Sequence, residues 1–395
     1  MNSSPSQPVP AARQDRPRSI LVVRLSAMGD LIHAIAAASA LRAALPECKL
    51  GWVVEKRWSE LLCAPGFAAH GERSQQRPLV DDVFAVDIRS LCSHPFSPAV
   101  WKEMRIRLSE LRAFAYDQVV DMQGAIRSAA IACLSGAAES WGESRPREAP
   151  AAFFYRQRVA VSGSHVAQQN LALMSAVAGI PLDGCAPLFP RNGEAVEWCE
   201  RLLSGRSAPT QASSGASGAP GFCILNPGAG WGAKCWPPAS FAEVARRLAD
   251  SGIRSLVNFG PGEEQLAEEV AAGSAGAAQT ISCTVSQLME LTRRAGLFIG
   301  GDTGPMHLAA ALGVPVVGLF GPTNPDRNGP WSVRSAVLRS RQSATSYRHT
   351  ARPDQALQSI SPAEVVGAAL ALLEAPEAAD SALRQQSRAG AQEPS

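Results

Sequence analysis

The strongest chemical signal in this chain is a Gly-Gly-Asp-Thr-Gly loop at residues 300–304, which follows an apolar run typical of a buried strand. The Ala- and Leu-rich stretch that begins at Pro305 predicts a helix, so the loop lies at a helix N-terminus. Free backbone N–H groups and the helix dipole favour anions there, which indicates a phosphate site. Thr303 is expected to cap the helix. An ordinary strand–helix turn with Asp302 as a solvated cap is the alternative.

A second glycine-rich loop, NPGAGWGAKCWP at 226–237, follows the first apolar run of the second half. It approaches the P-loop pattern, but Ala233 replaces the second glycine and Cys235 replaces the Mg²⁺-binding hydroxyl residue, which disfavours an ATPase. Lys234 is one of four lysines against 33 arginines, so its compact ammonium indicates a chemical choice. With the loop N–H groups it would neutralise a diphosphate, and a surface lysine after a flexible turn is the alternative.

An acid also follows the first predicted strand, in the segment SAMGDLIH at residues 26–33. The dinucleotide fingerprint Gly-x-Gly-x-x-Gly is absent at this place, and Gly29 would let the backbone approach a ligand. Asp30 is interpreted as a general base facing a cleft, with helix N-capping as the alternative. Met28, Gly29 and His33 are the neighbouring candidates for the acceptor side, and packing is the alternative for the histidine.

Two further strand ends carry polar residues. A Phe-Gly-Pro-Gly turn leads into Glu263 and Glu264, one of which could bind a ribose hydroxyl. Acids at a helix N-terminus also simply suit the helix dipole. An Asp-Met-Gln-Gly turn at 121–124 supplies Gln123, and Arg127 follows one turn later. These two side chains could face the cleft from the acceptor side, and ordinary surface turn residues are the alternative.

An α/β framework must hold these loops, because strand-like apolar runs alternate with helical periodicity along both halves of the chain. The alternation predicts two Rossmann-like, doubly wound domains, whose ligands bind beyond the carboxyl ends of the strands and in the cleft between the domains. The predicted organisation is a disordered tail (1–18), a first domain (19–203), a flexible Ser/Gly/Ala/Pro linker (204–221), a second domain with a terminal helix (222–375) and a disordered tail (376–395).

Composition argues against several classes of function. The 395 residues are 46% hydrophobic and 18% charged, and a net charge of +2 gives no reason to expect nucleic acid as a partner. Nine scattered cysteines without a Cys-x-x-Cys pair indicate reduced thiols. No signal-peptide pattern and no membrane-spanning apolar run is present. No Asp-x-Asp metal motif is present either, so no metal or cofactor is expected, and the chain is expected to be a monomer.

Five segments together carry a family resemblance: RLSAMGDLIH at 24–33, DMQGAIRSA at 121–129, NPGAGWGAKCWP at 226–237, GPGEE at 260–264 and the long segment at 300–331. They resemble, in the same order, the heptosyltransferases of glycosyltransferase family 9. The resemblance implies the GT-B fold, in which two Rossmann-like domains face each other, the first binding the acceptor and the second the nucleotide sugar. It also implies ADP-heptose as the donor and an inverting transfer.

The resemblance assigns roles to positions of this sequence. Asp30 matches the catalytic base and Lys234 the lysine on the donor phosphate and sugar, so these two are the catalytic candidates. Asp302 matches the acid that binds the heptose, and either Glu263 or Glu264 matches the ribose acid. The remaining donor positions lie around the diphosphate or contact the donor through backbone N–H groups: Ala229, Gly230, Thr303, Gly304 and His307.

The form of the first motif is more similar to heptosyltransferase I, which implies transfer of L-glycero-D-manno-heptose to Kdo of the lipopolysaccharide inner core. The acceptor, Kdo-lipid A, would place the protein peripherally at the cytoplasmic face of the inner membrane. The alternatives are a heptosyltransferase II-like acceptor, another nucleotide sugar, a nucleotide-sugar epimerase or dehydrogenase, and a non-catalytic homologue. The missing dinucleotide fingerprint disfavours the dehydrogenase, and the joint presence of Asp30, Lys234 and Asp302 disfavours the non-catalytic protein.

Overall fold

Two parallel sheets, one in each half of the chain, form the framework of this computed structural model. It describes residues 18–93, 97–204, 221–332, 334–346, 350, 352 and 354–375. The predicted α/β class with two doubly wound sheets is confirmed. The predicted tails and linker lie outside the described residues, apart from single residues at their ends.

The first half builds a six-stranded sheet in the order β3-β2-β1-β4-β5-β6. Its strands are β1 (Ser19–Val23), β2 (Lys49–Glu55), β3 (Asp82–Val86), β4 (Gln118–Asp121), β5 (Glu139–Glu143) and β6 (Gln157–Val159). Its helices are α1 (Met28–Ala44), α2 (Ile88–Ser93), α3 (Pro98–Ala113), α4 (Ile126–Leu134) and α5 (Val166–Ala178), with 3₁₀ helices at Lys56–Leu61 and Ala149–Phe154.

The second half repeats this plan in the order β12-β11-β10-β7-β8-β9. A helix α6 (Gly193–Ser204) precedes it, and its buried Cys199 belongs to the core of the second half, together with Phe298. The strands are β7 (Phe222–Asn226), β8 (Arg254–Phe259), β9 (Ala278–Ser282), β10 (Leu297–Gly301), β11 (Val316–Phe320) and β12 (Ser335–Arg339). The helices are α7 (Pro238–Asp250), α8 (Glu264–Gly273), α9 (Val285–Arg294), α10 (Gly304–Ala311), α11 (Pro325–Asn328), α12 (Gln355–Gln358) and α13 (Pro362–Glu374), with a 3₁₀ turn at Gly232–Lys234.

Burial on both faces explains why the central strands are almost continuously apolar. Every residue of β1 and of β7 is buried, as expected for parallel strands that helices cover on both sides. Helix α1 ends at Ala44 because Pro46 cannot continue a helix and pushes Leu45 out of helical conformation. Sequence reading therefore works best at the centre of each sheet.

Both sheets have their topological switch point in the middle, between β1 and β4 in the first half and between β7 and β10 in the second. Parallel pairing brings Val23 beside Asp121 and Asn226 beside Gly300 at the strand ends. The loops that follow these four strands therefore lie at the carboxyl edges, where doubly wound sheets bind ligands.

Helix α1 is the main contact between the halves. It packs against α5 on its own side and against α10 of the second half. Leu308 of α10 and Met289 of α9 are buried in the same apolar cluster as Leu31 and Ile35 of α1. The two sheets are thus joined through a shared core that runs along one helix.

The sequence pattern did not predict several elements, which lie mostly away from the sheet centres. They are the helices α2, α6, α11 and α12 and the strands β5, β6 and β12. Strand β5 reads Glu-Ser-Trp-Gly-Glu, which carries little apolar signal. Among the helices described here, none is long and apolar enough to cross a membrane. The cysteines that the structure describes form no disulfide bonds with one another.

Candidate active site

A lysine–aspartate ion pair joins the two loops at the switch point of the second sheet. Lys234, in the 3₁₀ turn after β7, places its Nζ 2.7 Å from Oδ2 of Asp302, which follows β10. The same Nζ donates to the backbone carbonyl oxygen of Asp302 at 3.2 Å and lies 5.2 Å from the centroid of the Trp231 ring. The side chains are only 15% and 8% exposed, so the pair is largely removed from water.

His307 of α10 holds the other oxygen of Asp302. Its Nε2 lies 3.1 Å from Oδ1, and because a carboxylate only accepts hydrogen bonds, the ring nitrogen is the donor. Burial alone would raise the pKa of Asp302, but the hydrogen bond from His307 and the charge of Lys234 outweigh burial and hold this pKa well below its usual value. Asp302 therefore stays ionised at neutral pH and is a poor proton acceptor.

Thr303 has the backbone position of the helix cap, but its side chain does not cap α10. Its Oγ1 donates to the carbonyl oxygen of Gly301 at 3.3 Å, and no side-chain hydrogen bond caps the helix. The expected capping role of this hydroxyl is wrong, because the side chain turns back onto the loop. The first N–H groups of α10, from Gly304 onward, thus have no side-chain cap that would compete with an anion.

Glu263, rather than Glu264, lies at this edge of the sheet. Its Oε2 accepts a hydrogen bond from the N–H of Gly260 at 2.8 Å. A Cβ added to Gly228 would come within 2.1 Å of the Glu263 carboxylate, so this carboxylate lies against the glycine-rich loop after β7. Glu263 is half-buried, whereas Glu264 is exposed in the first turn of α8.

Two buried amides shape the glycine-rich loop. Asn226 donates through Nδ2 to the carbonyl oxygen of Gly228 at 3.0 Å and accepts through Oδ1 from Nδ2 of Asn258 at 2.7 Å. Ala229 is half-buried and Gly230 is exposed. These two positions therefore lie at the loop surface, where they can offer only backbone groups to a ligand.

The switch point of the first sheet presents a different ion pair. Arg24, just after β1, is buried and places Nη2 2.7 Å from Oδ2 of Asp30, in the first turn of α1. Its Nη1 donates to the carbonyl oxygen of Met122, which anchors the guanidinium to the loop after β4. The same Asp30 oxygen accepts a longer hydrogen bond from the Ala27 N–H at 3.4 Å. The Asp30 side chain is 39% exposed, far more than the 8% of Asp302.

Gln123 supports the loop that carries Asp30. Its Oε1 accepts from the N–H groups of Leu25 and Ser26, at 2.8 and 3.4 Å. Asp121 in turn accepts the Gln123 N–H at 2.9 Å and the Tyr155 hydroxyl at 2.6 Å. The amide oxygen of Gln123 therefore supports the loop that carries Asp30. That Gln123 faces the cleft from the acceptor side stays a prediction.

Helices α1 and α10 touch at a contact that we call the α1–α10 junction. A Cβ built on Gly29 would lie 2.5 Å from Cδ2 of His307, and one built on Gly304 would lie 2.6 Å from Cβ of Met28. The N-terminal ends of the two helices are thus in direct contact. Since Asp30 adjoins Gly29, the acid of the first half and the ion pair of the second half flank the same junction.

The other acceptor-side candidates divide into a buried and an exposed residue. His33 is buried, and its ring packs edge-on against those of His307 and His165, with centroids 4.6 and 5.3 Å apart. Helix α1 turns this residue toward α10 and α5, and its place on the acceptor side stays a prediction. Arg127 is exposed in the first turn of α4.

Sequence reasoning missed Arg24, Asp121 and Tyr155 as parts of the site. Arg24 carried one signal, since it is the single charge in the apolar run ILVVRL. Tyr155 carried none, because its contact with Asp121 joins residues 34 positions apart through the fold. Such supporting contacts become visible only when the strands are assembled.

The arrangement can bind an anion and activate a hydroxyl group at one place. The N-terminus of α10 and the Lys234 ammonium supply positive charge, while the exposed Asp30 can receive a proton. Among the residues that the structure describes, no group of three or more His, Cys, Asp or Glu could hold a metal ion.

Comparisons with known proteins lead to the same chemistry. The model of glycosyltransferase family 9 (heptosyltransferase) matches residues 105–357. Lipopolysaccharide heptosyltransferase 1 of Pseudomonas aeruginosa is 30% identical over 325 residues, which cover 80% of this chain and 82% of that protein.

Solved structures extend the similarity to the whole architecture. E. coli heptosyltransferase WaaC with ADP superposes with a TM-score of 0.68 at 25% identity, over 88% of this chain and 97% of the other. The structure of WaaC with ADP-2-deoxy-2-fluoro heptose gives a TM-score of 0.66 with the same identity and coverage. The expected GT-B arrangement of two Rossmann-like domains is thereby confirmed.

Proposed function

Because this chain belongs to glycosyltransferase family 9, the heptosyltransferases, we propose that it transfers L-glycero-D-manno-heptose from ADP-heptose to the lipopolysaccharide inner core. We propose Kdo of Kdo-lipid A as the acceptor, as in the heptosyltransferase I type, with inversion at the anomeric carbon. The observation that carries the proposal is the α1–α10 junction, where an exposed acid and a buried lysine–aspartate pair flank a helix N-terminus.

The diphosphate of the donor is proposed to lie at the N-terminus of α10. Backbone N–H groups near Thr303 and Gly304 favour phosphate oxygens there, and Lys234 adds a full positive charge. Backbone N–H groups at Ala229 and Gly230 approach from the glycine-rich loop. As the bond to ADP breaks, negative charge grows on the diphosphate, and these fixed groups stabilise it.

Asp302 is proposed to accept hydrogen bonds from hydroxyl groups of the heptose. It keeps its charge because His307 and Lys234 hold its pKa low, and a charged acceptor forms the stronger hydrogen bonds. An arriving diphosphate would share the Lys234 ammonium, while His307 continues to hold Oδ1. Glu263 is proposed to bind the ribose hydroxyls, since it lies beside the glycine-rich loop and Glu264 does not.

Asp30 is proposed to take the proton from the acceptor hydroxyl as that oxygen attacks the anomeric carbon from the face opposite ADP. Its contacts with Arg24 and Ala27 both use Oδ2, which leaves Oδ1 for the acceptor. The exposed position gives an acceptor room to approach. A base positioned in this way typically contributes a factor of about 10²–10⁴ to the rate.

The acceptor is expected to meet the first half of the chain, because the loops there carry Asp30 and the exposed Arg127. Kdo-lipid A is held in a membrane by its acyl chains. We therefore propose that the protein works bound peripherally at the cytoplasmic face of the inner membrane. That it is a monomer stays a prediction from the sequence.

The deciding experiment is a transfer assay with purified protein, ADP-heptose and Kdo-lipid A. We expect the acceptor mass to rise by one heptosyl residue, with one ADP released, and we expect NMR of the product to show inverted anomeric configuration. The matched control is Asp30→Asn, which keeps the size of the side chain.

Two parallel arms test the donor and the acceptor separately. One offers an acceptor that already carries a heptose, and the other offers different nucleotide sugars. Transfer only to the heptose-bearing acceptor would replace the Kdo assignment with a heptosyltransferase II-like one. Activity confined to another nucleotide sugar would overturn the ADP-heptose assignment.

A further inference from the structure

Two large apolar side chains are exposed on neighbouring elements of the first half. Among the described residues, no large apolar side chain is more exposed than Phe153, at 83%. It belongs to the 3₁₀ helix Ala149–Phe154, which packs against α4. Ile126, the first residue of α4, is 44% exposed. Single exposed apolar residues are common, but two on adjoining elements call for a reason.

The 3₁₀ helix is held firmly in place, although Phe153 is left outside. Ala151 and Tyr155 are buried in one cluster with Ala129 of α4, and Phe154 packs against this cluster. The Tyr155 hydroxyl also donates to the buried carboxylate of Asp121 at 2.6 Å. The residues on both sides of Phe153 thus serve the core, and the exposed ring is not explained by the packing of the fold.

Exposed arginines accompany these apolar residues. Arg127 follows Ile126 in the first turn of α4, and Arg145 and Arg147 stand in the loop before the 3₁₀ helix. In the described part of the chain, none of the three arginines forms an ion pair. Glu148 is the exposed acid of this loop, and its Oε2 accepts from the Ile126 N–H at 2.9 Å. The surface is therefore apolar with an excess of positive charge.

The turn after β4 connects this surface to the proposed base. The carbonyl oxygen of Gly124 accepts from the Glu148 N–H at 2.8 Å, so the loop before the 3₁₀ helix is fixed to that turn. In the same turn, the carbonyl oxygen of Met122 accepts from Arg24, the ion-pair partner of Asp30. The exposed apolar and basic residues thus stand at the carboxyl edge of the first sheet, where the acceptor is expected.

We propose that this surface is where the protein docks on a membrane: Phe153 and Ile126 enter the headgroup region of an anionic lipid bilayer, and the arginines bind lipid phosphates. We call it the α4 surface, defined by Ile126, Arg127, Arg145, Arg147 and Phe153. An apolar group beside basic residues suits this occupant, since each signal alone binds a bilayer weakly. The inference rests on the proposed function, because an acceptor held by acyl chains has to reach Asp30 from a bilayer.

The test is co-sedimentation of the purified full chain with vesicles of phosphatidylglycerol and phosphatidylethanolamine in equal parts. We expect binding that weakens as salt is added and that is absent with phosphatidylcholine vesicles. Phe153→Ser is expected to lower the partition coefficient about tenfold, and Arg145→Gln about fivefold. Leu134→Ser is the matched control, because Leu134 is 42% exposed at the opposite end of α4. It is expected to bind like the wild type.

Two further measurements separate docking from a loss of folding or of catalysis. Hydrogen exchange of the wild type should slow at residues 149–154 when the anionic vesicles are added, and this needs no variant. For Phe153→Ser we expect kcat/KM to fall about tenfold with Kdo-lipid A in these vesicles. With the same acceptor freed of its acyl chains, we expect the kinetics of the wild type. Thermal unfolding checks that each variant folds.

The outcomes distinguish this inference from the proposed function. No binding of the wild type to anionic vesicles, equal losses in Phe153→Ser and Leu134→Ser, or unchanged exchange at 149–154 would each overturn the α4 surface as the docking site. A dimer that Phe153→Ser dissociates, without vesicle binding, would assign the surface to a second copy of the chain instead. If the wild type transfers no heptose to any acceptor, the proposed function fails, and vesicle binding and hydrogen exchange still decide the role of the α4 surface.

Discussion

The two switch points of this protein share one topology but hold their aspartates in different surroundings. Each sheet has a 3-2-1-4-5-6 strand order within its half, and each presents an aspartate paired with a basic residue at the carboxyl edge. In the first half, Arg24 contacts one oxygen of an aspartate that is 39% exposed. In the second half, Lys234 and His307 occupy both oxygens of an aspartate that is 8% exposed.

The difference shows that surroundings, and not residue type, decide what each acid can do. Asp302 is held ionised, so it can bind but not take a proton at neutral pH. Asp30 keeps one oxygen and a solvent path free for an incoming hydroxyl group. These surroundings fit the two proposed roles, proton acceptor for Asp30 and sugar ligand for Asp302.

The largest expected effect comes from exchanging the two acids for amides one at a time. Asp30→Asn is expected to lower kcat about a thousandfold, because the amide cannot accept the proton, while ADP affinity stays unchanged. Asp302→Asn is expected to raise KM for ADP-heptose along with a smaller loss in kcat. Steady-state kinetics and calorimetric titration with ADP measure both.

The reverse pattern, full activity in Asp30→Asn and a pure loss of kcat in Asp302→Asn, would exchange the two roles. Glu264→Gln serves as a matched acid-to-amide control. This exposed residue lies outside the contacts described at the sheet edge, and we expect its kinetics to equal those of the wild type.

The next largest effect is expected for Lys234→Met, which removes the ion-pair partner of Asp302 in the second half. The variant leaves a buried carboxylate with His307 as its remaining side-chain partner. Loss of a fixed positive charge beside the diphosphate should lower kcat/KM by roughly 10²–10³. Breaking a buried pair should also lower the free energy of unfolding by about 3 kcal/mol. Urea unfolding supplies that measurement.

The analogous variant in the first half is Arg24→Met, which removes the ion-pair partner of Asp30. Asp30 is partly hydrated, so removal of its partner should cost less stability than removal of Lys234. Equal losses of stability in the two variants would show that exposure does not separate the two ion pairs.

A third test uses pH, because two buried histidines that pack near the α1–α10 junction, His33 and His165, have lowered pKa values. Burial lowers the pKa of His33, and His307, His165 and Arg24 lower it further, while Asp302 opposes them. Burial also lowers the pKa of His165, against the opposing hydrogen bond to Gly329. The unfolded chain binds protons below about pH 6.5 that the folded chain excludes.

Stability is therefore expected to be complete above about pH 6.5 and to fall below it, by at most about 1.4 kcal/mol per pH unit for each histidine. The low pKa of Asp302 keeps its contribution constant in this range. Urea unfolding between pH 7.5 and 5.0 measures the slope. The difference in slope between the wild type and His33→Gln gives the contribution of His33. Buried carboxyl groups such as Asp121, whose pKa is raised, contribute to both proteins and cancel in this difference. A slope identical in both proteins would contradict the prediction.

The smallest expected effect concerns the ribose acid. Glu263→Gln is expected to weaken ADP binding about tenfold, because a charged acceptor is replaced by a neutral one, while Glu264→Gln leaves it unchanged. Calorimetric titration with ADP compares the two neighbours directly. Weaker binding in Glu264→Gln alone would move the ribose contact by one residue.

The fold was predictable where burial is complete. Strands such as Phe222–Asn226 are apolar throughout, so both sheets and the α/β class follow from the sequence. The edge strand Gln157–Val159 has two polar residues in three and was not predicted. Edge strands have fewer neighbours, so their sequences are less constrained.

The site was predictable as a set of loops but not as a set of contacts. Asp30, Lys234 and Asp302 stand at strand ends, where ligand sites are expected. The position of Glu263 against the Gly228 loop, which favours Glu263 over Glu264 in the proposal, could not be read from the sequence. The burial of His33 needed the docking of the two halves, which no local pattern in the sequence encodes.

The glycines of the α1–α10 junction set a limit on how the sequence can change. One methyl group at Gly29 must displace the buried ring of His307, and one at Gly304 must displace Met28. The close approach of the two halves at the junction therefore restricts which residues can stand at positions 29 and 304. A chain with larger residues at both positions has to hold its two acids further apart. The residues at 29 and 304 therefore limit how closely the two halves of the enzyme can approach each other.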